Sequence, residues 1–298
     1  MSRHKTPLRY PGGKQKLAPF IREIMAENNL CGGHYAEPYA GGAGIGLELL
    51  LSGHAEHIHL NDSCYGVYAF WHSILAHTEA FCRKISAASL TIPEWRRQKE
   101  ILSRQTEFDR LDVGFSMFYL NRCNRSGIAS GGVIGGLKQT GPWKMDARFP
   151  RNELIRRIEA IALRRKSITL RNWDAEKFIS EHLPALPSKS LIYCDPPYYK
   201  KADRLYLNHY QPHDHSRIAK VIQREIKHPW LVSYDCAPEI LEAYRRRISF
   251  TYSLQYNAAK AYRGTEIFIF APKLKLPSTS SIPSISQVLT RRTVKPHV

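Results

Sequence analysis

Asp195-Pro-Pro-Tyr198 closes the apolar run Leu191-Ile-Tyr-Cys194, which reads as a buried strand. Two consecutive prolines fix φ and remove two amide donors. What remains is a stiff corner presenting a carboxylate, bare carbonyls and an aromatic ring, at the strand edge where open α/β sheets bind ligands. A purely structural corner has no use for all three in that order. Two weaker signals accompany it. In Glu37-Pro-Tyr-Ala-Gly-Gly-Ala-Gly44 a glycine turn follows a strand, and glycines there let the backbone approach a ligand because no Cβ intervenes. By itself it is equally a plain tight turn. It lacks the GxGxxG spacing and carries no GK[ST], which excludes a P-loop. Asp62 ends the next strand, roughly 20 residues on, where an acid can accept both hydroxyls of a ribose. Standing alone, it would read more readily as a helix N-cap.

The elements that must hold these residues fall into stretches of different rhythm. Residues 15–30 are expected to be helical, with Leu17, Phe20, Ile21 and Ile24 on one face. A strand from His34, the glycine turn, a helix through Leu47–Leu51 and a second strand, His57–Leu60, form a β-α-β unit. Helical stretches then follow at 66–86, 93–105 and 109–122, with Thr91-Ile-Pro-Glu94 as a capping box for the second. Glycine-rich Ser126–Gly136 predicts a hairpin or mobile loop. A helix over 151–165 turns Leu154, Ile155, Ile158 and Ile161 inward and its arginines outward. Alternation resumes with strands at 168–170, 191–194 and 230–234, helices at 175–183 and 214–226, and an antiparallel pair (250–254 and 266–270) at the sheet edge. The expected architecture is an α/β domain in two parts, 1–65 and 166–272. It is split by a mainly helical insert over 66–165, and residues 273–298 are expected to be a flexible basic tail.

Lys and Arg number 44 against 26 Asp and Glu, a formal charge of +18 on 298 residues, so an anionic partner is expected. The charge is clustered at Arg96, Arg97 and Lys99, at Arg156, Arg157, Arg164, Arg165 and Lys166, and at Arg245–Arg247. Each cluster alone reads as a solvated helix face; together they favour nucleic acid, whose phosphates release counterions when neutralised. Six widely spaced cysteines without a CxxC pair read as free thiols in a reducing compartment. The N-terminus has no apolar signal core, and no run approaches the ~20 apolar residues of a membrane span. Of His54, His57 and His59 only the last two could share a metal, and no metal site is expected. His209, His213 and His215 fall in a loop beyond the corner, and the aromatic residues at 115–119 are expected in the core.

Taken together, Arg9-Tyr-Pro-Gly-Gly-Lys14, Glu37–Gly44, Leu60-Asn-Asp62 and Asp195-Pro-Pro-Tyr198 resemble the Dam-like DNA adenine-N6 methyltransferases in content and in order. Asn121-Arg-Cys-Asn-Arg-Ser-Gly127 is similar to the start of that family's recognition region, and the resemblance spans about 1–270. The family usually has one small residue between the glycines of its first motif, whereas Gly41-Gly-Ala-Gly44 is richer. The resemblance implies a Rossmann-like class I methyltransferase sheet, S-adenosylmethionine as cofactor with no metal, and site-specific methylation of a flipped adenine in double-stranded DNA. It implies a catalytic Asp195-Pro196-Pro197-Tyr198 in which Asp195 and the Pro196 carbonyl accept the amine protons and Tyr198 stacks on the base. It also implies cofactor contacts from Tyr10, Lys14, Glu37, Gly41, Gly44, Asp62 and Asp195. Lys14 suits the methionyl carboxylate or a nearby acid, and Asp174 suits the cofactor adenine or a helix N-cap. Arg122, Asn124, Arg125 and Lys138 are the expected DNA contacts. A cytoplasmic monomer of bacterial or phage origin, with a cognate restriction enzyme left open, completes the expectation. An RNA adenine-N6 methyltransferase would share the corner and differ in insert and tail. A protein-glutamine methyltransferase is disfavoured by Asp at 195, and an inactive binding module by the intact corner.

Overall fold

A computed structural model describes residues 5–9, 14–199, 210–257, 261–277 and 285–287. After a 3-10 turn, Lys14–Leu17, α1 (Ala18–Glu27) begins with proline in its first turn and buries Phe20, Ile21, Ile24 and Met25. β1 (Gly33–Glu37), α2 (Gly44–Leu51) and β2 (Ala55–Asn61) complete the first unit. The connection from β2 to the next strand holds α3 (Tyr65–Ala76), α4 (Thr78–Ala87), α5 (Ile92–Ser103), α6 (Arg110–Cys123) and α7 (Arg151–Ala162), within the stretch expected as an insert. β3 (Ile168–Arg171), α8 (Ala175–Lys177), β4 (Ser190–Cys194), α9 (Pro212–Glu225), β5 (Trp230–Asp235) and α10 (Pro238–Ala243) restore the alternation. β6 (Ser249–Asn257), β7 (Ala261–Phe270) and β8 (Ile285–Gln287) close the sheet.

The strand order is β3-β2-β1-β4-β5-β7-β6-β8, with the first five parallel and β7 antiparallel to both β5 and β6. This is the Rossmann-like arrangement expected of a class I methyltransferase. The chain winds outward from β1 to β3 on one side and from β4 to β5 on the other. The carboxyl ends of β1 and β4 therefore flank the topological switch point, where such sheets open a ligand crevice. Every residue of β4 and β5 is buried, as strands covered on both faces must be. One contiguous core runs from the sheet into the insert, where Phe70, Phe81, Phe115, Phe118 and Phe149 pack ring against ring.

Several local expectations change. The stretch 66–86 is two helices, broken at His77 (φ −130°, ψ 41°), with the Thr78 hydroxyl donating back to the Ile74 carbonyl. Only half of the Thr91 capping box forms. Thr91 accepts from the Glu94 amide, but the Glu94 carboxylate turns to Gln98 and Arg97. The glycine-rich segment is a compact loop closed by a single Asn124–Val133 bridge. Gly127 there has φ +76°, and a Cβ on it would lie 2.4 Å from the Arg9 carbonyl oxygen, so glycine is required. Residues 175–183 form the short α8, then a π turn (Phe178–His182) and the start of a 3-10 turn (Leu183–Ala185). Arg157 is not simply outward, since it donates to the Thr6 carbonyl and to Glu153. Helix α10 was not expected. Within the stretch read as a flexible tail, Leu274 is buried and β8 pairs with β6. No helix among the described residues is long and apolar enough to cross a membrane.

Candidate active site

The Asp195 corner leaves β4 at the switch point, and its carboxylate is held by two groups. Oδ1 lies 2.9 Å from Lys14 Nζ and accepts a 2.5 Å hydrogen bond from Ser233 Oγ on β5. Ser233 is in turn 2.7 Å from the Tyr193 hydroxyl. Among the described residues Oδ2 has no partner, and neither has the carbonyl of Pro196, which is itself buried. One carboxylate oxygen is thus pinned while the other, like the Pro196 carbonyl, accepts no hydrogen bond among the described residues. Burial pushes the Asp195 carboxyl above its ordinary value; Lys14 and Ser233 oppose that shift and Glu266 adds to it. Burial pulls on the Lys14 ammonium in the opposite sense, yet Asp195 and Glu266 together hold it well above its ordinary value. Of the two roles considered for Lys14, the structure shows the nearby acids.

Tyr198 differs from expectation. It is 3% exposed, its hydroxyl donates to Glu266, and the Lys14 ammonium sits 5.4 Å from its ring centroid. In this conformation the ring braces the corner and offers no open face for a base. Glu266 on β7, Tyr252 on β6 and Ser233 were not singled out from the sequence. A lone acid opening the apolar run Ile267-Phe-Ile-Phe270 was the one available signal for Glu266.

Across the switch point, the turn after β1 is organised by Asp62. The Asp62 carboxylate accepts from the amides of Gly41 (2.8 Å) and Cys64 (2.9 Å), and desolvation pushes it up to about 6 despite these bonds. Gly41 has φ +47°, and its carbonyl accepts from the Trp71 indole. Both of its backbone groups are therefore engaged inside the protein. Ala43 takes the left-handed conformation at the cap of α2, and Gly44 lets Gln15 pack close, a Cβ there lying 3.2 Å from that of Gln15. Glu37 is buried at the end of β1. It accepts from the Tyr35 hydroxyl and the Gly46 amide, and burial pushes it up to about 8. It braces the turn from behind. Asp174 is an exposed N-cap, accepting from the Glu176 amide, so the capping alternative is the one observed. Buried Asn61 ties this edge together by bonding Pro38 and Trp173. Tyr10 and His209 lie outside the described residues.

Of the four expected DNA contacts, two are internal. Arg122 is buried, donating to the carbonyls of Arg148 (2.5 Å) and Pro7 (3.4 Å); burial, then Arg9 and Arg157, bring it down to about 9. Asn124 is fully buried, accepting from the Trp95 indole (2.7 Å) and donating to the carbonyls of Ile128 and Ala129. Neither can reach a duplex without unmaking the loop. Buried Asn121 likewise grips the backbone of Arg9 and Gly127. Arg125 and Lys138 are exposed, as are Leu137 and Trp143 on the same loop. His213 and His215 belong to α9, and His215 is buried against the Tyr234 hydroxyl.

Comparison with known proteins fits this geometry. The family model for D12 class N6 adenine-specific DNA methyltransferases matches residues 10–260. No curated protein matches. Similar solved structures include PH1948 from Pyrococcus horikoshii, named as a proposed RNA methyltransferase, at 10% identity over 91% of this chain and 86% of that one, TM-score 0.39. The rRNA methyltransferase aviRa from Streptomyces viridochromogenes is similar at 10% identity over 88% and 86% of the two chains, TM-score 0.39. Protein LPL1258 from Legionella pneumophila is similar at 10% identity over 91% and 89%, TM-score 0.34. Likeness at that level decides nothing about substrate. The family match embraces Lys14, the glycine turn, Asp62 and the Asp195 corner, and the chain belongs to the D12 class N6 adenine-specific DNA methyltransferase family; it is an adenine-specific DNA methyltransferase.

Proposed function

We propose that the protein transfers a methyl group from S-adenosylmethionine to the N6 amine of an adenine flipped out of a specific site in duplex DNA. The observation that carries this reading is the half-pinned Asp195: Oδ1 is fixed by Lys14 and Ser233, while Oδ2 and the Pro196 carbonyl accept no hydrogen bond among the described residues. The adenine amine is a poor nucleophile because its lone pair is delocalised into the ring. Two acceptors lying out of the base plane draw its hydrogens and localise that lone pair. Asp195 Oδ2 and the Pro196 carbonyl are such a pair, on a corner that two prolines keep stiff. As the methyl–sulfur bond breaks and the carbon–nitrogen bond forms, the donor leaving as its neutral thioether, the nitrogen becomes cationic. The preorganised Asp195 carboxylate stabilises the charge, and one amine proton is then lost through Asp195 to solvent, which leaves N6-methyladenine.

The residues fit the cofactor that the family implies. Asp62 is an acid at the end of β2, shifted toward neutrality by desolvation, and additional donors from ribose hydroxyls would restore its charge. The turn held by Glu37, Gly41 and Gly44 sets the wall beside it. S-adenosylmethionine, when bound, supplies a sulfonium methyl for in-line transfer. The chain's part is to orient the amine toward it within about 3–3.5 Å, an entropic contribution larger than any single contact. Extruding the base costs a few kcal/mol, which phosphate contacts from the basic insert offset. Residues 66–165 are proposed as the recognition part, with Arg125 and Lys138 as contacts, and 1–65 with 166–272 as the catalytic part.

The test is transfer of labelled methyl from S-adenosylmethionine to duplex DNA, with structured RNA in parallel, followed by mapping of modified adenines. Label in N6-methyladenine of DNA is expected at one short sequence; label in RNA alone would overturn the substrate reading. Asp195→Asn should keep the fold and lower kcat at least about a hundredfold by removing the charged acceptor.

A further inference from the structure

Lys14 does not pair with Asp195 alone. Its ammonium lies 2.9 Å from Asp195 Oδ1 and 2.8 Å from Glu266 Oε2, in a space where Glu266 is 1% exposed. Glu266 stands on β7, in register with Asp235 on β5 and Tyr252 on β6. Both of its oxygens are engaged, Oε1 by the Tyr198 hydroxyl and Oε2 by Lys14 and the Tyr252 hydroxyl. Burying a carboxylate costs several kcal/mol unless it is paired and fully hydrogen-bonded. A hydrophobic residue in this strand would be cheaper to fold, so three donors converging on one acid at the catalytic corner point to a role there.

The electrostatics supply one. One ammonium between two carboxylates leaves a net negative charge. Without Glu266 the Lys14–Asp195 pair is neutral, and Asp195 is a weaker acceptor for an amine that turns cationic. We infer that Glu266 is a positioning residue: it takes up part of the Lys14 charge and anchors Tyr198, so that Lys14 does not fully offset the Asp195 carboxylate, which stays a stronger acceptor for the substrate amine. This rests on the proposed methyl transfer at Asp195 and goes beyond it.

A pH profile separates this role from mere bracing. The groups facing Asp195 are Lys14, Tyr193, Ser233 and Glu266, with Tyr198 and Tyr252 behind Lys14 and Glu37 beyond Tyr35. Of these, Glu266 is an acid that raises the Asp195 carboxyl through its charge. Glu266→Gln should therefore shift the acid limb of kcat to lower pH, lower kcat about tenfold, and leave the KM for S-adenosylmethionine within about threefold. Tyr252→Phe removes a hydroxyl from the same cluster and keeps the charge, so its limb should stay in place. A limb that stays put in Glu266→Gln, or moves equally in Tyr252→Phe, overturns the inference. Should Glu266→Gln not fold, Lys14→Met is compared with Lys14→Met/Glu266→Gln. The double variant's limb should lie below the single variant's, and coincident limbs overturn the inference. Wild-type protein inactive on adenine in DNA would instead sink the underlying reading. Active wild type, inactive Asp195→Asn and an unmoved Glu266→Gln limb would sink the inference alone.

Discussion

Asp62, proposed above as a ribose ligand, is already part of the framework. Its carboxylate holds the Gly41 and Cys64 amides, and desolvation still lifts it to about 6. Because the folded value lies above the ordinary carboxylate value, ionised Asp62 carries a cost in the unliganded fold that ribose hydroxyls would relieve. On the proposed role, affinity for S-adenosylmethionine depends on the ionised form, so it should be full above about pH 6 and fall as pH drops through that value. Calorimetric titration of S-adenosylmethionine between pH 5 and 8 checks this, conditions spanning the shift. Asp62→Asn should bind more weakly and lose the pH dependence; an unchanged pH dependence would assign it elsewhere. Spacing after the glycine turn was enough to single out Asp62 in the sequence. That its partner would be the Gly41 amide was not, because the bond joins two loops brought together only by β1–β2 pairing.

At the scale of an element, the parallel strands β1 and β2 and the π turn at 178–182 bring histidines together. His34 Nδ1 is 3.0 Å from His59 Nε2, His59 Nδ1 is 3.0 Å from His182 Nε2, and His57 bonds Thr169. Among the described residues no group of side chains here suits a metal ion. Burial, then neighbouring histidines and Arg171, push His59 down to about 3, so His59 is neutral in the fold. An unfolded histidine takes up a proton near pH 6.5. Stability is thus fully present above that pH and lost progressively as pH falls toward about 3, since the unfolded chain binds the extra proton first. Denaturant unfolding at pH 7 and pH 5 should show this loss, and His59→Phe should flatten it. Alternation already put His57 and His59 on one face in the sequence. His34 and His182 joined them only through strand register and the π turn.

For the whole molecule, a charge of +18 marks the partner class, while burial decides which cations serve it. Arg125→Ala and Lys138→Ala should leave the melting temperature unchanged. Each should weaken duplex binding and reduce the slope of log K against log salt by about one. Asn124→Ala should do the reverse: it strands the Trp95 indole and two loop carbonyls, at a cost of about 2–3 kcal/mol in stability. Anisotropy titrations over a range of salt, with thermal melts in parallel, separate the two groups. Wild-type stability in Asn124→Ala would return it to the DNA face.

The sequence by itself determined the chemistry and its place in the sheet: a Pro-stiffened acid after a buried strand, a glycine turn after another, and an acid ending the next. Those are local properties, carried by residue type, period and the rule that open sheets bind ligands at their carboxyl edge. Tertiary structure decided which oxygen of Asp195 is engaged, that Lys14 and Glu266 meet across 252 residues, and that Arg122 and Asn124 lie inside while Arg125 lies outside. A side chain's type says what bonds it can make. Whether it spends them on the protein or keeps them for a ligand depends on neighbours that only folding brings within reach.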